Sequence, residues 1–158
     1  MLLGISKIVA RRIWAAILRT LCDGWTTHRR MQRSSPCLFC CGQGEDSIAH
    51  YARCTVVARL MSTKLELVRQ PAESQLAGFL LLEPCWRPGR ESLLSRRALG
   101  VYATFLASNK VRKGQAQNAE EVWMQYLKEG AASSQKLAAF LHEVWTEFLS
   151  PSFSPSCL

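Results

Sequence analysis

The feature that most constrains this chain is its run of cysteines between residues 37 and 54. It reads Cys37-Leu-Phe-Cys40-Cys41-Gly-Gln-Gly-Glu-Asp-Ser-Ile-Ala-His50-Tyr-Ala-Arg-Cys54. Zinc takes four soft or borderline donors at the corners of a tetrahedron, and this stretch offers them within a short loop and one helical turn. Two cysteines a few residues apart in a tight turn supply two corners. Gly42 and Gly44 let the backbone curl without a side-chain clash. His50 and Cys54 stand at i and i+4, so on a helix they face the same way and supply the other two. The predicted metal ligands are therefore Cys37, His50, Cys54 and one of Cys40 and Cys41. The C-x2-C spacing favours Cys40. The longer C-x3-C spacing favours Cys41, which is followed directly by Gly42.

The rest of the chain reads as helical, without a strand pattern or an internal repeat. Ile5, Ile8, Val9, Ile13, Ala16, Ile17 and Leu21 recur at helical spacing. A short helical stretch is predicted over Thr26–Gln32. A longer helix is predicted from near Ile48, capped by Asp46 or Ser47, through Val57, Leu60, Leu65 and Val68 to a stop before Pro71. Leu76–Leu82 is apolar, and residues 84–90, with Pro84, Pro88 and Gly89, read as a loop. Leu94, Ala98, Val101, Tyr102 and Phe105 give one stripe. Asn118 and Glu121 look like a capping box opening a second, with Gly130 expected at its C-terminal turn. Leu137–Phe148 gives a third. The aromatics Trp123, Tyr126, Phe140, Trp145 and Phe148 sit among aliphatics at this spacing and read as core; His142 beside them reads as surface. The expected fold is mainly α, a helical bundle with a small zinc knuckle inserted between helices. Residues 1–70 would hold basic helices and the knuckle, 71–90 a connection, 91–150 a helical region and 151–158 a disordered tail.

The net charge of +8 points to an acidic partner such as nucleic acid or an anionic membrane surface. It is unevenly spread, because residues 119–158 set Glu120, Glu121, Glu129, Glu143 and Glu147 against only Lys128 and Lys136. Arg29, Arg30, Arg33, Arg53 and Arg59 flank the predicted ligands and are candidate phosphate contacts. Such contacts give salt-dependent affinity for RNA or DNA with little sequence preference. The seven cysteines are an odd number, and no convincing signal peptide precedes them. A reducing compartment, nuclear or cytoplasmic, is expected. Residues 1–22 are basic, acid-free before Asp23 and amphipathic, so mitochondrial import or membrane-surface binding is the competing reading. No apolar run approaches the ~20 residues that span a bilayer.

The order Cys, Cys-Gly, acidic residue, His, Cys resembles the zinc-binding module that follows the polymerase domain in reverse transcriptases of non-long-terminal-repeat retrotransposons. That module shows a Cys-Pro-x-Cys-Gly turn, an acidic residue, and a His three positions after a Thr or Ser. The matching residues here are Cys41-Gly42, Asp46, Ser47 and His50, with Cys54 as the last ligand. The Arg-rich lead-in Thr26–Arg33 is similar too. On this resemblance Cys41 matches better than Cys40. Leu38 replaces the proline, and the first cysteine gap is one residue too long. The likeness covers residues 20–70 only. It implies a C-terminal piece of an element protein, or a reading frame derived from one.

Nothing points to catalysis. Catalytic zinc keeps one position open for water, whereas four protein ligands close this site. Glu45 and Asp46 stand in the wrong order for a zinc deaminase. Glu120 and Glu121 are adjacent and face different sides of a helix. The Tyr-x-Asp-Asp polymerase signature, an endonuclease signature and a phosphate-binding glycine loop are absent. The expected function is a non-catalytic structural zinc-binding protein with non-specific RNA or DNA binding and no small-molecule substrate. The alternative is a metal-free helical protein-interaction domain, or a decayed reading frame without independent function.

Overall fold

The computed structural model describes residues 9–68, 71, 73–82 and 91–133. Among them are helices α1 (Arg11–Leu21), α2 (Ile48–Tyr51), α3 (Thr55–Leu65), α4 (Gln75–Phe79), α5 (Glu91–Arg112) and α6 (Ala119–Ala132). The described residues contain no strand, only an isolated antiparallel bridge between Pro36 and Glu45. The protein is thus mainly α, as its apolar spacing predicts.

Helix α5 is the hub. Leu94, Ala98, Leu99, Val101, Tyr102, Ala103, Phe105 and Ala107 are all buried, so apolar residues run around the helix rather than along one stripe. A helix of that kind has to be enclosed, and α1, α3 and α6 pack against it. Small residues set how closely they approach. A Cβ on Gly100 would stand 2.9 Å from Met61 Cε of α3. One on Gly130 would overlap Leu99 Cδ1. Gly130 is therefore not the terminal turn expected of it: α6 continues to Ala132, and the glycine marks its close contact with α5. Trp123 is fully buried, and its Nε1 donates to Thr104 Oγ1 at 3.0 Å. At the start of α6, Asn118 Oδ1 accepts from the amides of Glu120 and Glu121 at 3.0 and 3.3 Å, the predicted cap.

The segment between α1 and α2 is held on this bundle by Trp25. Its ring lies 5.8 Å from Tyr51, 6.2 Å from Phe79 and 5.1 Å from Phe105, centroid to centroid. Its Nε1 donates to Thr20 Oγ1 at 2.8 Å. Both polar and apolar ends of the indole are satisfied, which is what lets so large a side chain be fully buried.

Three predicted helices are redrawn. Over Thr26–Gln32 the chain makes turns, and Gln32 is left-handed at φ 55°. So short a stretch does not repay helix nucleation, and the amides of His28 and Arg29 are bonded to Asp46 instead. The long helix from Ile48 divides into α2 and α3, because Cys54 between them is extended (φ −57°, ψ 125°). Helix α3 then ends at Leu65, with Glu66 left-handed at φ 50°. Helix α5 runs on past Phe105 into the largely polar run from Asn109 to Gln117 and ends within it at Arg112. The expected first turn before Val9, the loop over 84–90, the third stripe over 137–148 and the tail over 151–158 lie outside the described residues. No described helix is long and apolar enough to cross a membrane.

Candidate metal centre

Cys37, Cys41, His50 and Cys54 converge, with one ligand atom from each lying within 4.8 Å of the others. The backbone that brings them together is a short hairpin followed by a broken helix. Cys37 N donates to Gly44 O at 2.8 Å and Asp46 N to Ser35 O at 3.0 Å, on either side of the Pro36–Glu45 bridge. A turn closes Cys37–Cys40 through Cys40 N to Cys37 O, 3.0 Å.

This turn brings Cys41, and not Cys40, to the other three. Cys40 takes the left-handed conformation at φ 52° and is exposed. That single residue absorbs the extra position of the C-x3-C spacing and swings Cys41, not Cys40, into the cluster. Gly42 follows, also left-handed at φ 72°, a conformation that costs a glycine nothing. The next amide, Gln43 N, donates to Cys41 Sγ at 3.5 Å.

His50 and Cys54 meet by a different route from the one their spacing predicts. They do not share a helix. His50 lies in α2, whose start is capped by Ser47 Oγ accepting from His50 N at 3.1 Å. Of the two candidate caps, it is therefore Ser47 that serves. Cys54 is the residue preceding α3. Gly44 lies flat against the His50 ring, where a Cβ would overlap the imidazole, so this glycine is required by close approach.

Two donor–donor distances can be set against the edges of a tetrahedral site, and the sulfur–sulfur one matches while the sulfur–nitrogen one is shorter. Cys37 Sγ and Cys54 Sγ are 3.8 Å apart, and Cys41 Sγ and His50 Nε2 3.2 Å apart. Bonds of about 2.3 Å to sulfur and 2.0–2.1 Å to nitrogen would put tetrahedral S···S and S···N edges at about 3.8 and about 3.6 Å. Cys37 and Cys54 are buried, Cys41 and His50 half-buried. The S–H···S bond to Cys54, and then burial, push the Cys37 thiol up. The same bond holds the Cys54 thiol down despite its burial. The amides of Val57 and Val56 act in the same direction on Cys54, without making a cap hydrogen bond to it.

Beside the cluster lies a group that the sequence left as a helix cap. Asp46 is fully buried. Its Oδ1 accepts from Tyr51 OH at 2.5 Å and Arg112 Nη2 at 2.7 Å, and its Oδ2 from Arg112 Nε and His28 N, both at 2.8 Å. Burial pushes this carboxyl up, but Arg112, Tyr51 and the His28 amide together outweigh it and hold the carboxyl below its ordinary value. A depressed carboxyl contributes stability that is present above its unfolded value and lost as pH falls through the folded one. Burial and then Asp46 push the Tyr51 hydroxyl up. Arg112 stands far away in sequence, inside the polar run after Phe105, and no periodicity marks it.

The five candidate phosphate-binding arginines are all exposed but are not equally available. Arg29 pairs with Glu45, and Arg59 pairs with both carboxylate oxygens of Glu120 at 2.9 and 2.7 Å. Arg30 donates to Asp23 O. Arg33 and Arg53 have no ion-pair partner among the described residues. Comparison with known protein families, characterised proteins and solved structures finds no match to this chain.

Proposed function

We propose that this chain is a non-catalytic helical module stapled by a structural zinc ion, and that it binds RNA or DNA weakly through the arginines around the staple. The observation that carries the reading is the convergence of Cys37, Cys41, His50 and Cys54. Three thiolates and an imidazole in tetrahedral array are a zinc donor set. Four protein ligands leave no position for a water nucleophile, so the ion's work would be folding.

The nucleic-acid part rests on charge. Arg33 and Arg53 have no ion-pair partner among the described residues, and the exposed pairs at Arg29 and Arg59 are of the kind worth only about 0–1 kcal/mol, so phosphates would compete for them readily. Three thiolates around a divalent ion leave the centre one negative charge, which keeps the local excess of positive charge small. Binding should therefore be weak and steeply salt-dependent.

Descent from the C-terminal region of a non-long-terminal-repeat retrotransposon reverse transcriptase is part of this proposal. It is supported by the work each shared residue does: Cys41 joins the cluster, Gly42 supplies the left-handed turn, Ser47 caps α2 and Asp46 is the buried anchor.

Elemental analysis of the purified chain tests the core of the reading and should give one zinc per chain. Cobalt substitution should give the intense visible absorption of a tetrahedral thiolate site. A zinc-free preparation with an unchanged cooperative melt would reject it in favour of a metal-free interaction domain. Salt-insensitive binding to single-stranded RNA, or none at low salt, would remove the nucleic-acid part alone.

A further inference from the structure

Arg112 is held by the metal-centre segment although it belongs to the far end of the bundle's central helix. Its side chain is only 10% exposed and grips a carboxylate that is 0% exposed, with both Nε and Nη2 engaged. Its Nη1 donates to Asn109 Oδ1 at 2.7 Å, which fixes the guanidinium on α5. The carboxylate is fixed just as firmly on the other side. Tyr51, which holds Asp46 Oδ1, is the neighbour of the ligand His50. Gly44, two residues before Asp46, is pressed against the His50 ring and accepts from the amide of the ligand Cys37. His28 N and Ser35 O bind Asp46 from the preceding strap.

From this chain of contacts we infer that Asp46 and Arg112 couple the metal centre to the C-terminal end of α5, so that metal binding and the docking of that end stabilise each other. The inference rests on the metal reading above and extends it. Losing the ion frees the hairpin and α2, whose own backbone bonds are few. Asp46 is then no longer held in place, and a buried guanidinium loses its counter-charge. That is a large cost in a dry site, and the last turns of α5 relieve it by opening to water. Linkage makes the effect reciprocal: whatever the ion does for Arg112, Arg112 does for the affinity of the ion. A path of contacts alone is not proof of coupling, so the test measures coupling directly.

The zinc-loaded full chain and the chelator-treated chain are compared by amide hydrogen exchange. Metal removal should speed exchange across 108–112 at least tenfold, while the middle of α5 around Leu99–Ala103 stays protected. Zinc affinity, by competition with a chromophoric chelator, should fall roughly tenfold in Arg112→Gln and less in Arg112→Lys, which keeps charge but loses the fork. Lys128→Gln, at an exposed position of α6, should leave affinity unchanged. Stoichiometric zinc with equal affinity in wild type and Arg112→Gln, or with unchanged exchange at 108–112 on chelation, overturns the coupling and leaves the metal reading standing. Loss of protection along all of α5 on chelation also overturns it, because the coupling would then be global. Failure of the wild-type chain to take up zinc overturns both.

Discussion

The bundle and the metal-centre segment solve the same problem by different means. Around α5 the fold is held by burial: Leu99, Ala103, Trp123 and Leu127 are essentially inaccessible, and backbone polarity is absorbed within long helices. Between residues 25 and 54 there is one four-residue helix and one isolated bridge. There the fixed points are an indole, a buried carboxylate and four donors converging on one centre. Apolar burial is spread over many residues, so the bundle tolerates single losses in proportion to the volume removed. The metal-centre segment concentrates its stability in a few groups, and each of them is decisive.

The largest expected effect follows from that concentration. His50→Ala and Cys54→Ser should each abolish stoichiometric zinc binding, whose apparent free energy in small zinc modules is about 10–16 kcal/mol. Exchange protection over 37–54 should vanish while α6 keeps its own. Elemental analysis with exchange mass spectrometry checks this, and retention of one tightly bound zinc by either variant would break the comparison. Next comes Trp123→Ala in the bundle, with an expected loss of about 3–5 kcal/mol in denaturant titration. Its zinc stoichiometry should stay at one, since the indole is anchored within the bundle, on Thr104 of α5.

Two glycines give a matched and smaller test. Each stands where a Cβ would overlap a neighbour: the His50 ring at Gly44 and Leu99 Cδ1 at Gly130. The leucine methyl is the free end of a side chain in a helical interface and can shift. The imidazole is a planar ligand tied to a centre. Gly44→Ala should therefore weaken zinc affinity by about 1–3 kcal/mol, the usual range for overpacking. Gly130→Ala should change overall stability by less and leave zinc affinity unchanged, with part of the strain offset by alanine's better helix propensity. Equal effects of the two on zinc affinity would sink the distinction between the regions.

What the sequence made legible divides along the same line. Periodicity found α1, α3, α5 and α6, because a buried face repeats with the helix. Asn118 announced its cap. The ligand types of the cluster were legible from composition and spacing. The geometry between them was not: the i, i+4 spacing of His50 and Cys54 predicts one helical face, and Cys54 instead lies in the break between two helices. Arg112 was invisible because its importance comes from a partner far away in the chain, and a polar run carries no periodic mark. Gly130 is ambiguous in sequence, because a glycine near a helix end signals a terminus there and a close helix contact in space.

The smallest expected effect bears on the choice between neighbouring cysteines. Cys40 occupies φ 52° with an exposed side chain, a conformation that costs an ordinary L-residue about 1–2 kcal/mol relative to right-handed alternatives. Glycine escapes that cost but brings a freer unfolded chain, which takes back about 0.4–1 kcal/mol. Cys40→Gly should therefore be neutral to stabilising by up to about 1.6 kcal/mol, with one zinc retained. Cys41→Ser, by contrast, should lose a ligand that accepts from Gln43 N and so abolish stoichiometric zinc binding and the cobalt absorption, as Cys54→Ser does. Had Cys40 been the ligand, the two outcomes would be exchanged. Denaturation in excess zinc, read beside the cobalt spectrum, separates these cases, because only a true ligand changes both.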